Sequence, residues 1–254
     1  MKQIFFIISL VFLFTASIQA QNFDADSLFR SANKAYGKQD FSSSIELYNV
    51  IIDSGYKSPE LFLNIGNAYF KTRQYAKAIL YYEKASLFDP GNPNIQFNLQ
   101  KARAYTIDKI EIIPEFFLVV WMHKFTSIFS SNSWAVVSLS AFFLALLLFL
   151  LYFVNSSRNR KLISFSLGLF LIIISILTYS FAKQTKILIE DSDQAIVITS
   201  TVTVKGSPDI EGTSIFIIHE GTKVSLLRSI GEWYEVRLTD GKQGWLLKMD
   251  IEKI

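Results

Sequence analysis

Side chains able to do acid–base, nucleophilic or metal chemistry are few in this chain of 254 residues, and they stand apart from one another. There are two histidines, His123 and His219, and no cysteine. Without cysteine there is no thiol nucleophile, no thiolate metal site, no disulfide and no lipid attachment at an N-terminal Cys. Two histidines, one in an aromatic stretch and one in a β-rich run, do not make a metal site. The carboxylates are scattered, no glycine-rich run could cradle a phosphate, and no Ser, His and Asp fall at a supporting spacing. No catalytic residue, metal or cofactor is therefore expected, and an enzyme would need a site that no motif marks. Net charge is +3 without a basic patch, so nucleic acid is not an expected partner. A compact basic cluster is Arg158, Arg160 and Lys161, three cations with no acid among them. Its meaning comes from what flanks it.

On either side lie residues 134–154 and 162–182, neither run holding a charged residue. About 20 apolar residues at about 1.5 Å rise cross a hydrocarbon layer of about 30 Å, so each run is long enough to span. A buried core helix would need a polar face for solvent, and the stretch from Ala141 to Val154 offers none. These runs explain why half the residues are hydrophobic and the mean hydropathy is +0.30. The connection, 155–161, is short, so the two spans form an antiparallel transmembrane hairpin. A third apolar run, Ile4 to Phe14, follows Lys2 and precedes Ser17-Ile18-Gln19-Ala20. That layout reads as a signal peptide over 1–20, with an uncleaved anchor as the alternative. The positive-inside rule puts the basic loop 155–161 in the cytoplasm. Lys124, Lys183 and Lys186 on the outer flanks tie the count, and the exported N-terminal region breaks the tie. The expected location is the bacterial inner membrane with two spans, both soluble domains being periplasmic.

Residues 21–110 repeat themselves at a shift of 34: Ala32-Asn33 aligns with Gly66-Asn67, Phe41 with Tyr75, Ser44 with Ala78, Tyr48 with Tyr82, and Ile51 with Ala85. The second copy carries Phe62, Ile65, Gly66, Tyr69, Tyr75, Ala78, Tyr82, Ala85 and Pro90 at the offsets of the tetratricopeptide pattern. The first copy departs from it, with Ala35 and Ser31 where Tyr and Leu are usual. Pro93 to about Tyr105 starts a third copy but reads better as a closing helix. The stretch resembles a tetratricopeptide-repeat domain, an all-α solenoid whose units bury their apolar faces by stacking. The resemblance implies a partner-binding groove lined by Asn33 and Tyr36, by Asn64, Asn67, Phe70 and Lys71, and by Asn98 and Lys101. Asparagine amides donate and accept at once, which suits a partner backbone; the alternative is that they merely solvate the groove. Phe29, Asn94 and Asn98 stand where a carboxylate-clamp repeat would carry Lys or Arg, so capture of a free C-terminus is not expected.

Residues 111–131 hold Phe116, Phe117, Val120, Trp121, Phe125 and Ile128 at roughly helical spacing after Pro114. They read as an interfacial amphipathic helix leading into the first span, or as a cap on the last repeat. After a linker at 183–193 the texture turns to short β-rich runs at 195–199, 201–205, 215–218, 223–227, 233–238 and 244–247, separated by turns such as Asp240-Gly241. The strings Val202-x-Val204-Lys-Gly-Ser-Pro208, Glu220-Gly221-Thr-Lys-Val224, Gly231-Glu-Trp233-Tyr-Glu-Val236 and Gly244-Trp245-Leu246 resemble a bacterial SH3-like domain over 194–254. The resemblance implies a small all-β barrel used for binding cell-wall peptides or proteins. Trp233, Tyr234 and Trp245 are then either a stacking surface or barrel core.

The fold class expected is a multi-domain membrane protein: tetratricopeptide solenoid, two-helix transmembrane hairpin and SH3-like barrel. This order of segments resembles the E-type members of the Bacteroides aerotolerance operon (Bat) family. The resemblance implies an envelope protein beside membrane-anchored von Willebrand A-domain proteins and a MoxR-type ATPase, with a role in stress tolerance. The leading reading is a non-enzymatic scaffold for other envelope proteins. The other is a sensor or anchor that binds peptidoglycan through the SH3-like domain.

Overall fold

The computed structural model describes residues 23–109, 121, 125, 126, 128–190 and 193–254. The signal-peptide reading (1–20) and most of the interfacial-helix reading (111–131) lie outside them. The chain divides into two compact units, Met1–Lys57 and Ser58–Ile254.

In the first unit, α1 (Phe23–Gly37) packs on α2 (Phe41–Asp53). Asp40 caps α2 by accepting from the Ser43 amide, and hydrogen bonding from the Ser43 side chain, with that amide, holds its carboxyl below the usual carboxylate range. Ala32, Tyr48 and Ile51 fill the interface, and the Tyr48 hydroxyl donates to Asn33 Oδ1 at 2.6 Å. Ser44 is also fully buried, and its hydroxyl has no hydrogen-bond partner among the described residues.

The second unit opens with α3 (Pro59–Lys71), α4 (Tyr75–Phe88) and α5 (Pro93–Arg103). Ser58 caps α3 through the Leu61 amide, with Pro59 in the first turn, where its missing N–H costs nothing. The internal repeat is visible atom by atom. Tyr82 donates to Asn67 Oδ1 at 2.8 Å, as Tyr48 does to Asn33 one period earlier. The α1–α2 and α3–α4 turns place Gln39 and Arg73 at φ 64° and 62°. Gly66 lies against the Tyr82 ring so closely that a Cβ there would stand 2.7 Å from ring carbons.

Two long helices follow, α6 (Ser131–Val154) and α7 (Arg158–Glu190). Both are long and apolar enough to cross a membrane. Their buried residues are mostly small: Ser138, Ala141 and Ala145 on α6 and Ser164, Ser175, Thr178 and Ala182 on α7, with Trp134 buried near the start of α6. Ser138 and Ser175 each donate to the other's backbone carbonyl, at 2.8 and 3.0 Å. Gly168 admits the Phe149 ring. The large apolar side chains, among them Phe143, Leu150, Phe153, Ile163 and Phe170, point outward and are exposed. Helix α7 runs on through Glu190, across most of the residues read from sequence as a linker. That stretch has neither Gly nor Pro to stop it, and Thr185 is buried.

The C-terminal region is one antiparallel sheet of seven strands in the order β3-β2-β6-β5-β4-β1-β7. The strands are β1 (Gln194–Val197), β2 (Thr201–Lys205), β3 (Ser214–His219), β4 (Lys223–Ile230), β5 (Trp233–Arg237), β6 (Gln243–Leu247) and β7 (Ile251–Lys253). The sheet is open, since its end strands β3 and β7 do not pair with each other. It wraps a single core that includes Ala195, Val204, Ile218, Val224, Val236 and Ile251.

Two substitutions separate good packing from bad. Ser44→Ala, which makes the first repeat match Ala78 of the second, is expected to raise the thermal midpoint of the detergent-solubilised protein, relieving about 1–3 kcal/mol of unmet desolvation. Gly66→Leu is expected to lower it through overpacking of roughly 1–3 kcal/mol or more. Melting followed by circular dichroism reads both.

Candidate functional site

Helix α3 carries Asn64, Asn67, Phe70 and Lys71, and α5 carries Asn98 and Lys101, so the two helices line one surface of the second unit. The link between them is Asn98 Nδ2 donating to Asn67 Oδ1 at 3.1 Å. Asn67 Oδ1 thus accepts from both Tyr82 and Asn98, and its acceptor side braces the repeat. Asn64 is half-buried on the same helix, while Lys71 and Lys101 are exposed. Phe70 meets Tyr75 and Tyr105 edge-on at 5.4 and 5.6 Å. Tyr75 and Tyr105 stack at 4.5 Å, and Lys101 Nζ stands 5.2 Å from the Phe70 centroid. In the first unit, Tyr36 meets Phe41 edge-on at 5.2 Å, and burial raises its phenol pKa. Asn33 accepts from Tyr48 there.

Sequence reasoning found Phe70 and Lys101 but not Tyr75 and Tyr105, which complete the aromatic group. Tyr105 follows Lys101 by one helical turn, and Tyr75 falls one period after Phe41, so both had a local signal.

The aromatic residues of the sheet lie in different settings. Trp245 is buried, with the Arg228 guanidinium 5.3 Å from its ring and Arg228 paired to Glu235. Tyr234 packs partly on the core, with Lys248 and Lys253 ammonium groups 5.3 and 5.4 Å from its ring. Trp233 is half-buried opposite Leu247. Arg158 and Arg160 are exposed at the tip of the hairpin, and Lys161 sits 5.6 Å from the Tyr152 ring.

A second constellation had no sequence signal. Asp108, just past α5, accepts from the His219 amide at 2.6 Å, meets His219 Nδ1 at 2.8 Å and accepts from Thr222 Oγ1 at 2.8 Å. Burial works to raise the Asp108 pKa, but the bonds from His219 and Thr222 outweigh it and the net shift is downward. Beside it, Glu83 on α4 is buried and pairs with Arg103 of α5 and with Lys223 of β4, the latter at 2.8 Å. Gly221, at φ 85°, closes the contact, because a Cβ there would stand 2.5 Å from Thr106 Cγ2 and 3.1 Å from Ile79 Cδ1. The repeat and the sheet are therefore joined directly. His219, assigned no partner from sequence, belongs to this clasp. A His–Asp contact can serve catalysis, but here the carboxylate also holds a backbone amide and a threonine, which is a structural arrangement. Among the described residues no cluster of His, Asp or Glu could hold a metal ion.

Residues 59–92, spanning α3, α4 and the turn into α5, match the tetratricopeptide repeat family. A tetratricopeptide repeat is thus present, the kind of module that serves protein–protein interaction. No curated protein matches the chain.

Asp108→Ala is expected to weaken the clasp by about 1–3 kcal/mol, leaving the His219 amide without its acceptor. Hydrogen exchange at residues 219–222 reads the loss. The Asp108 pKa is depressed in the folded state, so its stabilisation is complete above the unfolded value of about 4 and fades as pH falls through the folded one. Exchange at those amides should rise on acidification below about pH 4, and Asp108→Ala should remove that acid-dependent rise.

Proposed function

We propose that this protein is a non-enzymatic scaffold anchored in the bacterial inner membrane, presenting its repeats and its sheet to partner proteins on the extracytoplasmic side. The observation that carries the reading is where the soluble parts emerge. Ser131, at the start of α6, donates to the Ala182 carbonyl far along α7, so the chain enters and leaves the hairpin at the same end. The repeat and the sheet meet through Asp108 and Glu83. The outward apolar and inward small residues of α6 and α7 support a lipid setting, since helices in hydrocarbon associate through close packing and hydrogen bonds. Trp121, Phe125, Phe129, Trp134 and Phe181 gather beside that end, which suits an aromatic belt at headgroup depth. The cations at the opposite tip favour a cytoplasmic loop.

The Gly244-Trp245 ending and the antiparallel order of short strands support an SH3-like relationship, with the sheet left open. The order of segments supports a place in an aerotolerance-type envelope complex, with von Willebrand A-domain proteins as candidate partners. Trp245, buried beneath Arg228, gives the peptidoglycan-binding alternative less to work with. Holding two binding modules on one anchor raises their local concentration for a shared target.

Two measurements test this. A reporter fused after Ile254 should be active outside the cytoplasm, and cytoplasmic activity overturns the orientation. A photo-crosslinking residue at position 64 should capture protein partners in intact cells, and the same probe should lose them when Lys71→Glu is added. Asn67 is avoided because it braces Tyr82 and Asn98. Unchanged capture removes the groove from the reading.

A further inference from the structure

The last helix of a solenoid ordinarily turns a polar face to solvent. Helix α5 turns Asn94, Gln96, Gln100, Lys101 and Arg103 outward, yet Phe97 among them is 65% exposed, and Tyr105, just beyond the helix, is 55% exposed although it stacks on Tyr75. Phe70 and Tyr75 lie beneath, half-buried, so one aromatic platform joins α3, α4 and the end of α5. Tyr105 lies outside the matched repeat, so this platform is a feature of this chain beyond the repeat pattern.

The charge around it has one sign. Lys71 and Lys101 are exposed, Arg73 follows on the α3–α4 turn, and among the described residues none of the three forms an ion pair. Two carboxylates that flank α5 are engaged elsewhere, Glu83 by Arg103 and Lys223 and Asp108 by His219 and Thr222, while Asp89 accepts from the N-cap Asn92 at the other end of the helix. The clasp to the sheet therefore leaves the platform cationic. Lys101 stands over the Phe70 ring, where a cation is attracted to the ring face and its remaining N–H donors are available to an incoming carboxylate.

Resting on the reading of the repeats as a partner groove, we infer that the group Phe70–Tyr75–Tyr105 is its anchor point, and that the occupant is a protein segment with an aromatic side chain flanked by Asp or Glu. The aromatic side chain stacks on the platform, and the flanking carboxylates meet Lys71, Arg73 and Lys101. Interfaces concentrate their affinity in such aromatic and cationic centres.

The test is selection of a random-peptide display library on the full-length protein in nanodiscs, with the variants Lys101→Glu and Tyr105→Ala selected in parallel. Selected peptides should be enriched in an aromatic residue flanked by acids, and synthetic copies should bind each variant at least about tenfold more weakly in fluorescence anisotropy. Both substituted positions are exposed, and an unchanged melting midpoint excludes misfolding as the cause. Enrichment of basic or neutral peptides, no enrichment, or equal binding by the variants overturns the inference. The crosslinks from position 64 decide whether the groove falls with it: crosslinks retained alongside a failed selection reject this occupant and leave the groove standing.

Discussion

Within the second unit, the repeat and the sheet meet around two carboxylates, Glu83 and Asp108. A carboxylate as deeply placed as that of Glu83 is costly to bury unless its partners are in position, and those partners come from both modules: Arg103 from the repeat side and Lys223 from the sheet. Asp108 adds a neutral backbone donor, a hydroxyl and an imidazole from a single turn of the sheet. Removing the sheet would take Lys223 from Glu83 and the His219 and Thr222 donors from Asp108. The pair thus specifies how repeat and sheet meet, as apolar contact alone would not, and Gly221 supplies the close backbone approach that the arrangement demands.

The hairpin follows the opposite rule from the repeat. In α3 and α4 the large side chains Ile65, Ile79, Leu80 and Tyr82 are buried and charged groups are mostly outside, because burial of apolar area drives water-soluble packing. In α6 and α7 serines, threonines and alanines are inside while phenylalanines and leucines face out. In the proposed lipid setting, two such helices would gain little by hiding apolar surface from a medium that is itself apolar. They gain from close approach and from reciprocal bonds such as Ser138 with Ser175. One chain contains both packing patterns, and the contrast between them is what supports the proposed membrane setting of the hairpin.

Much of this was legible in the sequence, for reasons specific to each part. The 34-residue spacing of Asn33 with Asn67 and of Tyr48 with Tyr82 expresses one hydrogen bond made twice. The two uncharged runs and six of the seven strands were visible because their signals are local periodicities. What escaped detection was either short or long-range. Strand β7 alternates Ile251 with Glu252 and Lys253 over too few residues to carry a pattern. The helical extension to Glu190 depends on packing that its sequence does not announce. Asp108 and His219 are more than a hundred positions apart, and no spacing rule connects them. Of the groove residues, Asn33 and Asn67 proved to brace their own repeats through their acceptor atoms, a role that composition alone could not separate from partner contact.

Helix α7 has a mechanical consequence. At about 1.5 Å per residue, its 33 residues make a rod about 50 Å long, unbroken from the basic tip to within three residues of β1. A chain with a loose tether after its second span would isolate the sheet from the bilayer. With so short a connection, a tilt or shift of the rod in the proposed membrane would carry the sheet with it, and through Asp108 and Glu83 the repeat. In the proposed membrane setting, bilayer thickness and tension would become inputs to the position of the sheet and the repeat.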